Sequence, residues 1–126
     1  MNVTLAEDKK FLKELSAGTS ALVLLGVVGS AREPMYGYQI AKLIDRGSED
    51  MSMMKQGALY PVLRSLEKTG LLNSTVEPSV TGPPRRYYRI TEKGRAALGR
   101  WSGLWNRTKS VVDSALKGTP HDESDR

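Results

Sequence analysis

Gln56, Tyr60 and Arg64 stand four residues apart, a spacing that lines them along one face of a helix. An amide, a phenol and a guanidinium on one stripe suit a nucleic acid. Gln pairs with adenine and Arg with guanine in the major groove, while Tyr and Lys more often meet phosphate. Lys55 and Gly57 adjoin Gln56 at the same helix end. Arg85 and Arg86 follow Gly82-Pro83-Pro84. The prolines stiffen that turn and present two guanidinium groups at little ordering cost, to clamp phosphates or probe a minor groove. Tyr36 and Tyr38 flank Gly37 at an expected helix start, a natural seat for phosphate. One of these tyrosines is expected to pack inward and the other, Tyr36, to face a ligand. Taken singly, each feature also reads as a solvated surface with Tyr60 half-buried; it is the helix and the basic hairpin together that favour nucleic acid.

Other chemistry is poorly served. The chain has 126 residues, no Cys and one His, His121, in a polar tail. Disulfides, thiolate metal sites and a His general base are therefore excluded, which suits a reducing cytoplasm. No nucleophile-plus-base pair, metal cluster or phosphate-cradling glycine loop is legible, so neither an enzyme nor a bound cofactor is expected. The formal net charge of +5 favours a polyanionic partner, although an ordinary solvated surface carries such a balance too.

The elements that must position these groups lie between residues 55 and 95. Leu59, Val62, Leu63 and Leu66 recur at spacings of three and four and predict the buried face of a short helix that stops at Gly70. Pro61 is tolerated if it lies in the first turn, which places the helix start near residues 56–58. LLNSTVE and RRYYRI are rich in β-branched and aromatic residues and read as two strands, with VTGPP between them. Eight Lys/Arg (55, 64, 68, 85, 86, 89, 93, 95) face three Glu (67, 77, 92) in this stretch. A helix followed by a basic hairpin is the layout of a winged helix.

Three blocks of the chain resemble the PadR-like transcriptional regulators: MYGYQI (Met35 to Ile40), GALYPVLRSLEKTGLL (Gly57 to Leu72) and GPPRRYYRITEKGRAAL (Gly82 to Leu98). Their order and spacing are those of the family, and the resemblance covers roughly residues 12 to 116. It implies that Tyr60 contacts DNA, that the residues just before it face the groove, and that Tyr36 and Tyr38 help anchor the backbone. It further implies inverted-repeat operators with half-sites like ATGT and ACAT. Where family members usually carry an acid, this chain has Gln39, outside the helix that reads bases.

Upstream, Thr4 to Glu7 fits a capping box that opens a helix ended by Gly18. A second helix is expected over 19–28, then a loop over 31–35 and a third helix over 37–46 closed by Gly47. The apolar run 21–28 imitates a secretory leader, but Glu7, Asp8 and Glu14 oppose that, and the run is short of the ~20 residues a membrane span needs. No membrane partner is expected.

Downstream, residues 92–116 read as one long helix. Leu98, Trp101, Trp105, Thr108, Val112 and Ala115 alternate spacings of three and four, a heptad-like seam to which Leu104 adds apolar surface. A small domain cannot cover such a length, so a second subunit is expected there. Trp101 and Trp105 either pack that seam or, as the family resemblance implies, stack a flat hydrophobic effector between the two terminal helices, with room left by Gly99 and Gly103.

The expected fold is mainly α (α+β), a winged helix-turn-helix with an N-terminal helix and a long C-terminal dimerisation helix. Residues 1–91 form the DNA-binding domain, 92–117 the dimerisation helix, and 118–126 a disordered tail. The expected function is sequence-specific binding of double-stranded DNA by a homodimeric repressor, released by a small planar effector. The rival is a winged-helix module that binds protein and not DNA.

Overall fold

Leu24, Leu25, Ile40, Leu59, Leu63 and Leu72 are the largest wholly buried side chains, and they come from three helices and one strand. The computed structural model describes residues 5–46 and 56–118. In chain order these form α1 (Ala6–Ser30), β1 (Met35–Tyr36), α2 (Gly37–Arg46), α3 (Gln56–Lys68), β2 (Leu72–Glu77), β3 (Arg85–Ile90) and α4 (Glu92–Leu116). The sheet is antiparallel in the order β1-β3-β2. Its register pairs Ser74 with Tyr88, Val76 with Arg86 and Tyr36 with Tyr87. This is a mainly helical winged-helix architecture, as expected, with a third strand added.

Gly18 does not end a helix: α1 runs through it for 25 residues. A mid-helix glycine costs about 1 kcal/mol relative to Ala. Burial of Leu24, Leu25 and Val28 further along α1 contributes about 1.5–3 kcal/mol each. Packing therefore overrides the local stop signal. The Thr19 hydroxyl, expected near a helix start, donates to the Leu15 carbonyl at 2.9 Å within the continuous helix. Thr4 lies outside the described residues, and the N-cap is Leu5 with no side-chain cap. By length and composition α1 could cross a membrane. Its buried leucines nevertheless belong to the core shared with α2, α3, α4 and β3.

The loop expected before α2 contains β1, whose two residues pair with Tyr88 and Tyr87. α2 spans 37–46 as expected, while Gly47 lies outside the described residues. Pro61 falls in the second turn of α3 rather than the first. It removes one N–H from the helix ladder, a cost of up to ~3 kcal/mol. Leu59, Leu63 and Leu66, all buried on the inner face, outweigh it.

Gly70 stops α3 with φ at 85°. The Leu71 N–H donates to the Leu66 carbonyl at 2.9 Å and the Gly70 N–H to the Glu67 carbonyl at 3.0 Å, a Schellman closure with buried Leu66 and Leu71 across it. Lys93 adds a cation to that helix end, its Nζ donating to the Thr69 carbonyl at 2.9 Å. The wing is hung from the same corner. Thr91 Oγ1 accepts from the Gly94 N–H at 2.9 Å, capping α4, and donates to the Gly70 carbonyl at 2.7 Å. Gly94 is buried, and a Cβ there would run into the Leu71 carbonyl. α3, β2, β3 and α4 thus form one braced unit.

Candidate nucleic-acid interface

A groove opens between α2, α3 and the wing. Tyr36, Tyr38, Tyr60, Arg64, Arg85 and Arg86 all line it, with Ser79, Thr81 and the 82–84 turn closing one end. Six of the nine residues singled out for DNA contact are therefore brought to one concavity. Lys55 lies outside the described residues, and Gln56 and Gly57 fall in the first turn of α3.

Each wall has a local cause. α2 begins at Gly37, and the Gln39 side-chain oxygen accepts from the Tyr36 N–H at 3.1 Å, the reciprocal half of a capping box. The amide at 39 thus does the work of an acid in fixing that helix start. Gly37 is buried because the Tyr60 ring lies on it: a Cβ there would sit 2.5 Å from both Tyr60 Cε1 and its hydroxyl. Glycine lets the α3 tyrosine lie across the N-terminus of α2.

Neither tyrosine of the pair packs into the core, and Tyr38 is the more exposed of the two. Tyr38 is 53% exposed, with Lys42 Nζ 5.4 Å from its ring centroid. Tyr36 is half-buried, edge-on to Tyr87 with centroids 5.3 Å apart. β1 is the reason, since pairing with β3 draws Tyr36 onto the sheet.

Arg85 and Arg86 open β3, the strand expected over RRYYRI, and as neighbours in a strand they point to opposite faces. The Arg85 guanidinium lies 4.4 Å above the Tyr36 ring. Arg86 Nη1 donates to Ser74 Oγ at 2.9 Å, and Ser74 Oγ donates to Glu67 Oε2 at 2.7 Å, linking wing to α3. Beneath them Tyr88 is buried, and its phenol is raised above the usual 10.0, first by burial and then by the Glu67 carboxylate. Tyr88 is a sheet residue, as its place in the strand implied.

Ser74 and Glu67 were not singled out from the sequence. Only the strand register brings Ser74 beside Arg86, and the long 78–84 connection leaves that register unspecified.

A second concavity lies between α1 and α4. It encloses about 480 Å³ and is lined by Leu15, Gly18, Leu22, Trp101, Leu104, Trp105 and Thr108, among others. Trp105 is 40% exposed. The glycine that lines it is Gly18 of α1, not Gly99 or Gly103. Leu98 and Trp101, expected at a seam between subunits, are partly buried against this chain's own core, because α4 lies on α1 over its first turns. Leu104, Trp105, Val111, Val112 and Leu116 further along α4 stay exposed, as do Phe11 and Leu15 of α1 and its N-cap Leu5. Among the described residues no cluster of His, Cys, Asp or Glu could hold a metal ion. His121 lies outside them.

Comparison with known proteins agrees with this architecture. Residues 24–100 match the transcriptional regulator PadR-like family. An uncharacterised protein of Lysinibacillus sphaericus is 31% identical over 83 residues, 66% of this chain and 76% of the relative. A PadR family transcriptional regulator from Eggerthella lenta is 32% identical, with a TM-score of 0.70 over 86% of this chain and 90% of that one. A PadR-like transcriptional regulator from Bacillus cereus is 26% identical, with a TM-score of 0.67 over 82% of this chain and 96% of its own. The three sequence blocks, the winged-helix frame and these matches agree: the chain belongs to the transcriptional regulator PadR-like family.

Proposed function

We propose that this regulator binds double-stranded DNA as a homodimer and represses transcription by occupying an inverted-repeat operator. One observation carries the reading: Tyr60 and Arg64 of α3 share a groove with Arg85 and Arg86 of the wing, Tyr36 of β1 and Tyr38 of α2. α3 enters a major groove, with Gln56 and Arg64 at base edges and Tyr60 on phosphate. The wing arginines hold the adjoining backbone. Two copies joined through α4 set their α3 helices in successive major grooves, about 34–36 Å apart. Gel-shift titration of a fragment from the protein's own promoter, at 50 and 200 mM salt, tests this. Every phosphate that the protein neutralises adds about −0.9 to the slope of log affinity against log salt, so affinity falls steeply. Flat affinity, or equal affinity for scrambled duplex, overturns operator binding and leaves the protein-binding module.

We further propose that a small planar hydrophobic effector enters the α1–α4 cleft beside Trp101 and Trp105. At about 480 Å³ the cleft lies within the range of small-molecule sites. Such an effector acts only by binding the DNA-releasing arrangement more tightly than the DNA-holding one. Tryptophan quenching by planar aromatics, accompanied by DNA release, supports the coupling; quenching with DNA retained overturns it.

A further inference from the structure

Tyr36 is placed to act on DNA through another side chain. Its ring is edge-on to Tyr87, and Arg85 lies over its face at 4.4 Å. The register makes the three neighbours: Tyr36 opposes Tyr87, which is two residues along β3 from Arg85 on the same face. Arg85 also stands directly across the ladder from Glu77, a carboxylate of opposite charge. The guanidinium therefore has two places to go, over the ring or back to Glu77. Over Tyr36 it faces the groove it lines with Tyr60 and Arg64.

We infer that Tyr36 is a positioning residue, a ring that holds Arg85 toward the duplex and away from Glu77. Its hydroxyl is not required. The inference rests on the DNA-binding reading above, and it reassigns Tyr36 from a backbone contact to the seat of one.

The physical basis is preorganisation. A long, flexible guanidinium side chain loses rotamer freedom on binding, and a cation–π seat imposes that loss before DNA arrives. Removing the seat leaves the charge in place, so Arg85 still reaches its phosphate but is ordered only on binding. Affinity then falls by about two- to fivefold for each subunit of the dimer. The number of counterions released, and with it the salt slope, stays the same.

The test is a double-mutant cycle on full-length protein, with affinity for the promoter duplex read at several salt concentrations. Tyr36→Phe is expected to match the parent. Tyr36→Leu is expected to bind about two- to fivefold more weakly per subunit, about four- to 25-fold for the dimer on the duplex, at unchanged salt slope. Arg85→Ala removes one phosphate contact from each subunit and should reduce the dimer's slope by about 1.8, and in that background Tyr36→Leu should cost nothing more. Arg85→Lys, which keeps the charge but not the planar group, should lose affinity in the parent and little in Tyr36→Leu. Equal losses for Tyr36→Phe and Tyr36→Leu overturn the inference in favour of a hydroxyl contact. An undiminished Tyr36→Leu loss without Arg85 overturns it in favour of sheet packing. A parent that ignores duplex DNA fails the underlying reading instead. In that case the Arg85 side-chain proton shifts decide the seat: an upfield ring-current shift kept in Tyr36→Phe and lost in Tyr36→Leu supports it, and its absence from the parent overturns it.

Discussion

Gly37 and Tyr60 illustrate how a single missing methyl group can set a contact surface. The Tyr60 side chain rests where a Cβ on residue 37 would stand, 2.5 Å from its ring carbon Cε1 and from its hydroxyl. Gly37→Ala is expected to change unfolding free energy by less than about 1 kcal/mol, because only the outer end of one half-exposed side chain must move. DNA affinity should fall all the same, since Tyr60 is pushed off the start of α2. Paired denaturation and gel-shift curves check both halves. Tyr88 gives a second prediction at this scale. Burial, and then Glu67, raise its phenol above 10.0, so the folded state keeps the proton longer than the unfolded one. The stabilisation is whole below about pH 10 and drains away as pH climbs through the raised value. Alkaline unfolding should therefore steepen above about pH 10. Tyr88→Phe, measured by circular dichroism from about pH 8 to 12, should soften that slope.

The corner where α3 ends and α4 begins carries the wing, and its glycines are not equivalent. Gly94 is buried against the Leu71 carbonyl and the Ile90 side chain, both parts of the wing's root. Gly94→Ala is expected to cost about 2–3 kcal/mol, because overpacking here must move backbone. Gly99, where a Cβ would meet nothing within 4 Å, should behave oppositely. Gly99→Ala should add about 0.5–1 kcal/mol through helix propensity. Urea titrations of the two variants decide this. Their contrast also marks what a sequence makes legible at this scale. Periodicity identifies α2, α3 and α4 because Leu59, Leu63 and Leu66, or Leu98 and Trp101, repeat at helical spacing over several turns. It cannot tell Gly94 from Gly99, since the Leu71 carbonyl is brought there by tertiary contact. Nor can it carry α1 through Gly18, where distant packing outweighs a local penalty. β1 escapes it because two residues show no alternation; only pairing with Tyr87 and Tyr88 makes them a strand. That pairing turns Met35 to the core and sets Tyr36 on the opposite face of the sheet beside Tyr87, where it is half-buried, while Tyr38 stays the more exposed of the pair.

At the scale of the whole molecule, the core is assembled from all four helices and the root of the wing, while the ends of α1 and α4 remain without an intramolecular cover. Phe11 is 62% exposed, and Leu104, Val111, Val112 and Leu116 follow it on α4. A second copy placed on this surface would shield them and fix the distance between two α3 helices. Val112 is the informative position, because it touches this surface and not the core. Val112→Asp should leave the protomer fold intact, with an unchanged far-ultraviolet spectrum, while sedimentation shifts from dimer to monomer. An unpaired charge has no favourable place in an apolar seam. Each DNA-reading unit would then bind its half-site alone. The second contact would lose its effective concentration, and operator affinity should drop by about 10²-fold or more. Affinity for an isolated half-site should not change. If operator affinity held while the protein became monomeric, the two reading heads would be independent, and joining through α4 would have no part in recognition.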